Sequence, residues 1–186
     1  MRPLRPFPFP LNVGTDICQI SRIYRILRSP RGTRFVQRVL APEEQGARRV
    51  DLGPGPGDGQ RADEATLLRA AAVRKKPWEG IHEELARRDP VVWKSATFVA
   101  GRFAAKEAAM KAHSHRRLTF HDIIIERRGR DEARLGSGPP VARIRGEQAD
   151  GEDTSAMVSI SHDGDYATAV CMGYDPSVVQ QGEDKA

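Results

Sequence analysis

Long apolar runs are missing from this chain of 186 residues. No stretch approaches the about 18 consecutive apolar residues of a membrane-spanning helix, so no membrane partner of that kind is expected. No apolar core of a secretory signal is present either. Aromatic residues are scarce, at 6%. The core must therefore come from Ile, Val, Leu and Ala, and few rings remain to stack on bases. Cysteine is limited to Cys18 and Cys171. Each sits in an apolar pattern without metal-ligand spacing, which predicts two reduced core thiols in a reducing compartment.

Charge, by contrast, is plentiful and unevenly placed. Residues 1–50 carry ten Arg against Asp16, Glu43 and Glu44, a net of +7, while residues 150–186 carry eight acidic residues and one Lys, a net of −7. A basic front half suits an acidic partner, whether nucleic acid, anionic lipid or protein. Nucleic acid fits poorly, because the few aromatic residues are not clustered among the basic ones. The opening MRPLRPFPFP has two Arg and no acid, as organellar targeting segments do, but it is short and too proline-rich for an amphipathic helix.

LNVGTDIC, residues 11–18, alternates Leu11, Val13, Thr15 and Ile17 with Asn12, Gly14 and Asp16, predicting a half-buried strand with Asp16 on its less apolar face. In SRIYRILR, the residues Ile20, Ile23, Tyr24 and Leu27 follow helical spacing, and Arg22, Arg25 and Arg28 recur on the other face. That stripe is either a solvated face or a docking surface for something acidic. FVQRVLAPEE reads as a short helix ended by Pro42. VDLGPGPGDGQ then reads as a flexible loop, and the helical-looking DEATLLRAAAVRKK and WEGIHEELARR complete a flexible insertion over about 46–94. A long helix is expected from Ser95 or Thr97 to about His113. Val99, Phe103 and Met110 form its apolar stripe and Glu107 lies at the edge. LTFHDIIIERRG and the stretch after ARLGSGPP read as strands, and MVSISHDGDYATAVCMGY as a hairpin turning at Asp163 and Gly164. The order implies an α+β fold with helices packed on a mostly antiparallel sheet. It places one domain at residues 11–174 and tails at 1–10 and 175–186.

Three local signals stand out: G-T-D-I in the first strand, F-A-A-K-E-A-A-M-K-A on the long helix, and S-I-S-H-D on the hairpin. Singly each is bland. An Asp in a strand is commonly structural, Glu107 four residues before Lys111 suits a surface ion pair of a few tenths of a kcal/mol, and a His beside a turn is commonly structural too. In this order, VGTDICQISRI, AGRFAAKEAAMKA and VSISHDGDYATA resemble the 4′-phosphopantetheinyl transferase superfamily, in its small holo-[acyl-carrier-protein] synthase type. The resemblance covers about residues 11–45 and 95–174. It implies Mg²⁺-dependent transfer of phosphopantetheine from coenzyme A, the substrate, to a serine of an apo acyl carrier protein in fatty acid biosynthesis.

The resemblance further implies roles for named residues. Asp16 and Glu107 would be metal ligands, and with Lys111 the catalytic set. Lys111, His162, Arg102 and Lys106 would contact coenzyme A. Arg22, Arg25 and Arg28 would bind the acidic carrier. The motifs occur once, whereas some relatives carry two modules, so a homotrimer with shared sites is expected. The long insertion, absent from compact bacterial members, resembles a fungal elaboration, and with the Arg-bearing start favours a mitochondrial over a cytoplasmic location. One departure is His113-Ser114-His115, where the family has a Gly-rich turn. His-x-His suggests a metal site, but no third ligand lies nearby in sequence. The rival readings are an inactive carrier-protein or coenzyme A binding module of the same fold, and a basic nucleic-acid-binding protein.

Overall fold

The computed structural model describes residues 9–53, 80–127, 139–147 and 151–175. The elements are β1 (Leu11–Gln19), α1 (Ile20–Leu27), α2 (Gly32–Val39), α3 (Pro42–Ala47), α4 (Ile81–Arg88), α5 (Pro90–Ala112), a short 3-10 turn (Phe120–Asp122), β2 (Ile123–Arg127), β3 (Pro140–Ile144), β4 (Thr154–Asp163) and β5 (Tyr166–Tyr174). The strands form one sheet in the order β1-β5-β4-β3-β2. β2 runs antiparallel to β3, with Ile125 opposite Ala142, and β3 antiparallel to β4, with Ala142 opposite Ala156. The α+β class expected from the sequence is the one observed. The chain divides into two compact units. One holds the described residues up to Asp16, those from Ala104 to Ile160 and those from Thr168 on; the other holds Ile17–Phe103 and Ser161–Ala167.

The first unit contains most of the sheet and the C-terminal part of α5. Its helix is lined with alanine: Ala104, Ala105, Ala108, Ala109 and Ala112 are all fully buried. Small side chains permit the helix backbone to touch the strand. A Cβ added at Gly14 would lie 1.9 Å from the carbonyl oxygen of Ala108 and 2.7 Å from the amide nitrogen of Ala112. This contact decides which face of β1 turns inward. Gly14 and Cys18 are buried, whereas Val13 is 60% exposed and Ile17 65%. The strand alternates as expected, but its more aliphatic face is the open one. Branched side chains at positions 12, 14 and 16 would hold the helix away; Asn, Gly and Asp admit it. Both thiols are buried as expected, and burial pushes the Cys171 thiol up to about 11.

In the second unit α1 starts without a cap of its own. The hairpin turn supplies one. Asp165 accepts hydrogen bonds from the Ser21 amide (2.7 Å), the Ser21 hydroxyl (2.7 Å) and the Gln19 side chain (2.8 Å), and its carbonyl accepts the Ile20 amide at 2.7 Å. A carboxylate at a helix start also complements the dipole. Gly164, with φ of 52°, makes the turn in the left-handed region.

Two boundaries differ from expectation. Helix α5 begins at Pro90, not at Ser95 or Thr97. Asp89 caps it by accepting the Val92 amide at 3.2 Å, and Pro90 suits the first helical position. Ser95 instead accepts the amide of Asp51, and Thr97 donates to the Trp93 carbonyl inside the helix. Pro42 does not only follow α2; it opens α3. Of the expected insertion, residues 54–79 lie outside the described residues, and with them most of the Gly/Pro-rich loop. Residues 81–88 form α4, which buries Leu85.

After α5, His113 is buried (5% exposed) and its Nδ1 lies 2.8 Å from the Ala109 carbonyl. Gly173 makes room for its ring, since a Cβ there would come within 2.5 Å of it. Burial lowers the His113 pKa below 6.5. His115 and Arg116 add to this, while the Ala109 carbonyl and Asp175 oppose it. His115 in turn lies 3.6 Å from Asp175, which also accepts the Asn12 amide. Among the described residues no group of three or more His, Cys, Asp or Glu side chains that could hold a metal ion is brought together.

Two outcomes follow. Gly14→Ala should cost about 3 kcal/mol or more, because backbone rather than a flexible side chain occupies the space; urea denaturation measures it. For His113 the folded pKa lies below the unfolded value, so the unfolded chain takes up the proton first as pH falls. Stability should be complete above about pH 7 and decline as pH falls through about 6.5. Urea midpoints across this range should show the decline, and His113→Gln, which does not titrate, should flatten it.

Candidate active site

The contact at Gly14 sets two chemistry-bearing positions against each other. Asp16 lies two residues further along β1 on the same face, and Lys111 lies on the turn of α5 that Gly14 touches. Lys111 Nζ donates to Asp16 Oδ1 at 2.8 Å and to the Thr15 carbonyl at 2.8 Å. The Asp16 side chain is 17% exposed and that of Lys111 52%. Thr168 fixes the strand locally by donating to the Asp16 carbonyl at 3.1 Å.

Glu107 lies one turn before Lys111 and is half-buried. The i, i+4 geometry would allow these two to pair, as the sequence suggested. They do not, because Lys111 is drawn to Asp16, a carboxylate backed by the Thr15 carbonyl. Glu107 has no hydrogen-bond or ion-pair partner among the described residues. A half-buried carboxylate in that condition carries a desolvation cost that pairing has not offset. Of the expected set, Asp16 and Lys111 are thus in contact, and Glu107 lies one turn before Lys111 in the same unit.

The remaining expected residues fare differently. Lys106 is fully buried, and its Nζ donates to the Phe120 carbonyl at 2.9 Å. This corrects its expected role at coenzyme A, since a fully buried ammonium donating to a backbone carbonyl does not face a soluble phosphate. Arg102 is held within the second unit. Its Nε lies 3.5 Å from Glu44 Oε1 and its guanidinium 4.8 Å from the Phe98 ring centre. His162 is exposed, with Nε2 3.2 Å from the Thr97 carbonyl.

On α1, Arg22 and Arg25 are exposed, and Arg22 also lies 5.6 Å above the Phe103 ring. Arg28 is corrected. Its side chain is 10% exposed and directed at Asp89, 4.0 Å away, so the expected stripe of three is an exposed pair.

Two residues were not singled out from the sequence. Asp165 in the hairpin turn anchors α1, and no local pattern announces a cap supplied 144 positions away. Glu44 is 4% exposed and accepts the Ala41 amide through Oε2 at 3.0 Å. Here a signal existed: a Pro-Glu-Glu run after an apolar segment places Glu at the third helical position, where it reaches back to the amide before the helix.

No family model matches the chain. Among solved structures, a holo-ACP synthase from Plasmodium yoelii covers 88% of this chain and 94% of its own, at a TM-score of 0.48 and 22% identity. Sequence relatives are nearer. A mitochondrial 4′-phosphopantetheinyl transferase B of Aspergillus fumigatus is 33% identical over 175 residues, spanning 91% of this chain and 97% of the relative. A holo-[acyl-carrier-protein] synthase of Ralstonia nicotianae is 30% identical over 163 residues, 84% of this chain and 86% of its own. Nearly end-to-end identity at this level carries the assignment: the chain belongs to the 4′-phosphopantetheinyl transferase superfamily of enzymes, in its holo-[acyl-carrier-protein] synthase type.

Proposed function

We propose that this chain transfers the 4′-phosphopantetheine group of coenzyme A to a serine of an apo acyl carrier protein, releasing adenosine 3′,5′-bisphosphate, with Mg²⁺ held by Asp16 and Glu107. The observation that carries the reading is the Glu107 carboxylate on α5, which has no partner among the described residues, in the same unit as an Asp16 already gripped by a cation, Lys111. The donor set fits the metal: both are hard oxygen donors, and Mg²⁺ takes only one or two protein carboxylates, filling its sphere with water and substrate phosphate. When bound, the ion supplies charge neutralisation and Lewis-acid polarisation at the pyrophosphate.

The chain's own groups do the rest. The serine oxygen forms a bond to the phosphorus bearing pantetheine, and the bond from that phosphorus to the bridging oxygen breaks. Glu107 takes the serine proton. Lys111 releases Asp16 and places its ammonium on a pyrophosphate oxygen, where negative charge grows as the bisphosphate leaves. Arg102 and His162 bind coenzyme A near its phosphates. Little covalent work falls to the protein, so positioning and electrostatics carry the rate.

Arg22 and Arg25 give α1 a basic surface suited to an acidic acyl carrier protein of fatty acid biosynthesis. The open face of the sheet supports the homotrimer. Leu11 and Val13 on β1, Val170 and Tyr174 on β5 and Met157 on β4 are all exposed, and an apolar surface of this kind on a sheet is covered in stable assemblies. A mitochondrial setting is supported by the name of the Aspergillus relative and by the Arg-bearing start of this chain.

The reading is tested by intact mass. The protein is mixed with coenzyme A, Mg²⁺ and an apo acyl carrier protein, with and without EDTA. The carrier should gain one phosphopantetheine only when metal is present; no gain despite coenzyme A binding would leave an inactive binding module. Asp16→Ala and Glu107→Ala should each lower turnover by about a thousandfold or more while the far-UV circular dichroism is unchanged.

Carrier binding should weaken as salt rises, chiefly through slower association, and Arg22→Ala should reduce that salt dependence. Sedimentation should give a trimer that Val13→Asp disperses with loss of activity. A monomer of full activity would overturn the assembly.

A further inference from the structure

Helix α1 has eight residues, no side-chain cap of its own and no acid in its first turn. A helix this short is marginal by itself, and its first turn frays unless the leading amides find partners. Two of them find partners in the hairpin. The Asp165 carbonyl accepts the Ile20 amide and Asp165 Oδ1 the Ser21 amide, both at 2.7 Å. Asp165 Oδ2 accepts the Ser21 hydroxyl at 2.7 Å and the Gln19 side chain at 2.8 Å. Ser21 is 1% exposed, so water competes little for these bonds. All of these residues belong to the second unit.

The turn secured in this way carries Arg22, and Arg25 follows three residues on; both are exposed. Buried Ile20, Ile23, Tyr24 and Leu27 set the direction in which the helix faces. They do not by themselves keep its first turn wound. The restraints on the Arg22 side chain are weak: Nη2 donates to Cys18 Sγ at 3.5 Å, and the guanidinium lies 5.6 Å from the Phe103 ring centre. Its placement therefore depends on the backbone beneath it.

We propose that Asp165 is a positioning residue for the acyl carrier protein: by holding the first turn of α1 wound, it keeps Arg22 at helical spacing from Arg25 for the acidic side chains of the carrier. This role rests on the reading of Arg22 and Arg25 as the carrier surface. A charge already held in its bound geometry has less freedom to lose on association.

The pattern of effects separates this from simpler roles. Asp165 is an anion beside a basic helix. If it acted only through its field, its removal would tighten binding of an acidic carrier, and Ala and Asn would do so alike. If it served only general stability, coenzyme A and turnover would suffer along with the carrier. Positioning predicts a third pattern. Ala weakens carrier binding, while Asn, which caps a helix about as well as Asp, preserves it. Coenzyme A is indifferent, because His162 on the same hairpin has its own hold, with Nε2 3.2 Å from the Thr97 carbonyl.

Asp165→Ala, Asp165→Asn, Arg22→Ala, Arg25→Ala and the combined Asp165→Ala/Arg22→Ala variant are compared in the full chain by the intact-mass assay, with an apo acyl carrier protein and coenzyme A varied in turn. Asp165→Ala should raise KM for the carrier about three- to tenfold, with KM for coenzyme A and kcat within about twofold; Asp165→Asn should stay within about twofold of wild type throughout. In the Arg22→Ala background Asp165→Ala should add less than about twofold, because the group it positions is gone. Ser21→Ala, which removes the hydroxyl bond and keeps the amide one, should raise the carrier KM about threefold, and it decides the matter if Asp165→Ala does not fold. An unchanged or lower carrier KM, an equal rise in KM for coenzyme A, an Asn variant that behaves as Ala, or penalties that multiply in full would each overturn the proposal. If Arg22→Ala and Arg25→Ala both leave the carrier KM unchanged, the carrier surface itself is lost, and the role of Asp165 with it.

Discussion

The site in the first unit depends on the close approach of β1 and α5 at Gly14. Backbone meets backbone there, with no side chain between, and a methyl group would already overlap the Ala108 carbonyl. Everything that gives Asp16 a partner follows from that distance. A strand held a few ångströms further out by a Val or Leu at position 14 would leave Asp16 beyond reach of Lys111. It would also leave the alanine stripe of α5 packed against nothing. The alanine content of AGRFAAKEAAMKA is thus less a helix-propensity device than a packing specification, since only small residues allow a helix to sit this low on a strand.

The same constraint explains an arrangement that composition alone would not suggest. On a half-buried strand the aliphatic side normally faces the core, because burial of each large apolar side chain contributes about 1.5–3 kcal/mol. β1 turns Gly14 and Asp16 inward and leaves Val13 and Ile17 open. Two costs are accepted together: a carboxylate beside the core and aliphatic side chains in water. The first is offset by Lys111. The second would be offset by a surface that covers the strand, as in the proposed homotrimer.

Much of this was legible in the residues. The order of elements, the hairpin at Gly164 and the placement of Asp16, Glu107 and Lys111 follow from period, turn chemistry and three short motifs. What escaped was governed by contacts distant in sequence. Arg28 looks like a third member of an exposed stripe until Asp89 reaches it from the far side of the expected insertion. Lys106 looks like a surface cation, yet its ammonium is drawn inward to a carbonyl fourteen positions on. The start of α5 is hidden because Ser95 and Thr97 both fit a cap, while Asp89-Pro90, the stronger local signal, falls inside the stretch that reads as an insertion.

The ion pairs made by Arg102, midway along α5, and by Lys111, in its last turn, differ in burial. Glu44 and Arg102 belong to one unit, with side-chain exposures of 3% and 18%. Breaking that pair would strand a buried carboxylate, so the pairing persists whether or not substrate is present. Asp16 and Lys111 belong to the other unit, where Lys111 is 52% exposed. An ammonium that exposed is screened by water and gains little net free energy from its partner. An exposed ammonium of this kind can leave Asp16 at small cost, as the proposed function requires of it.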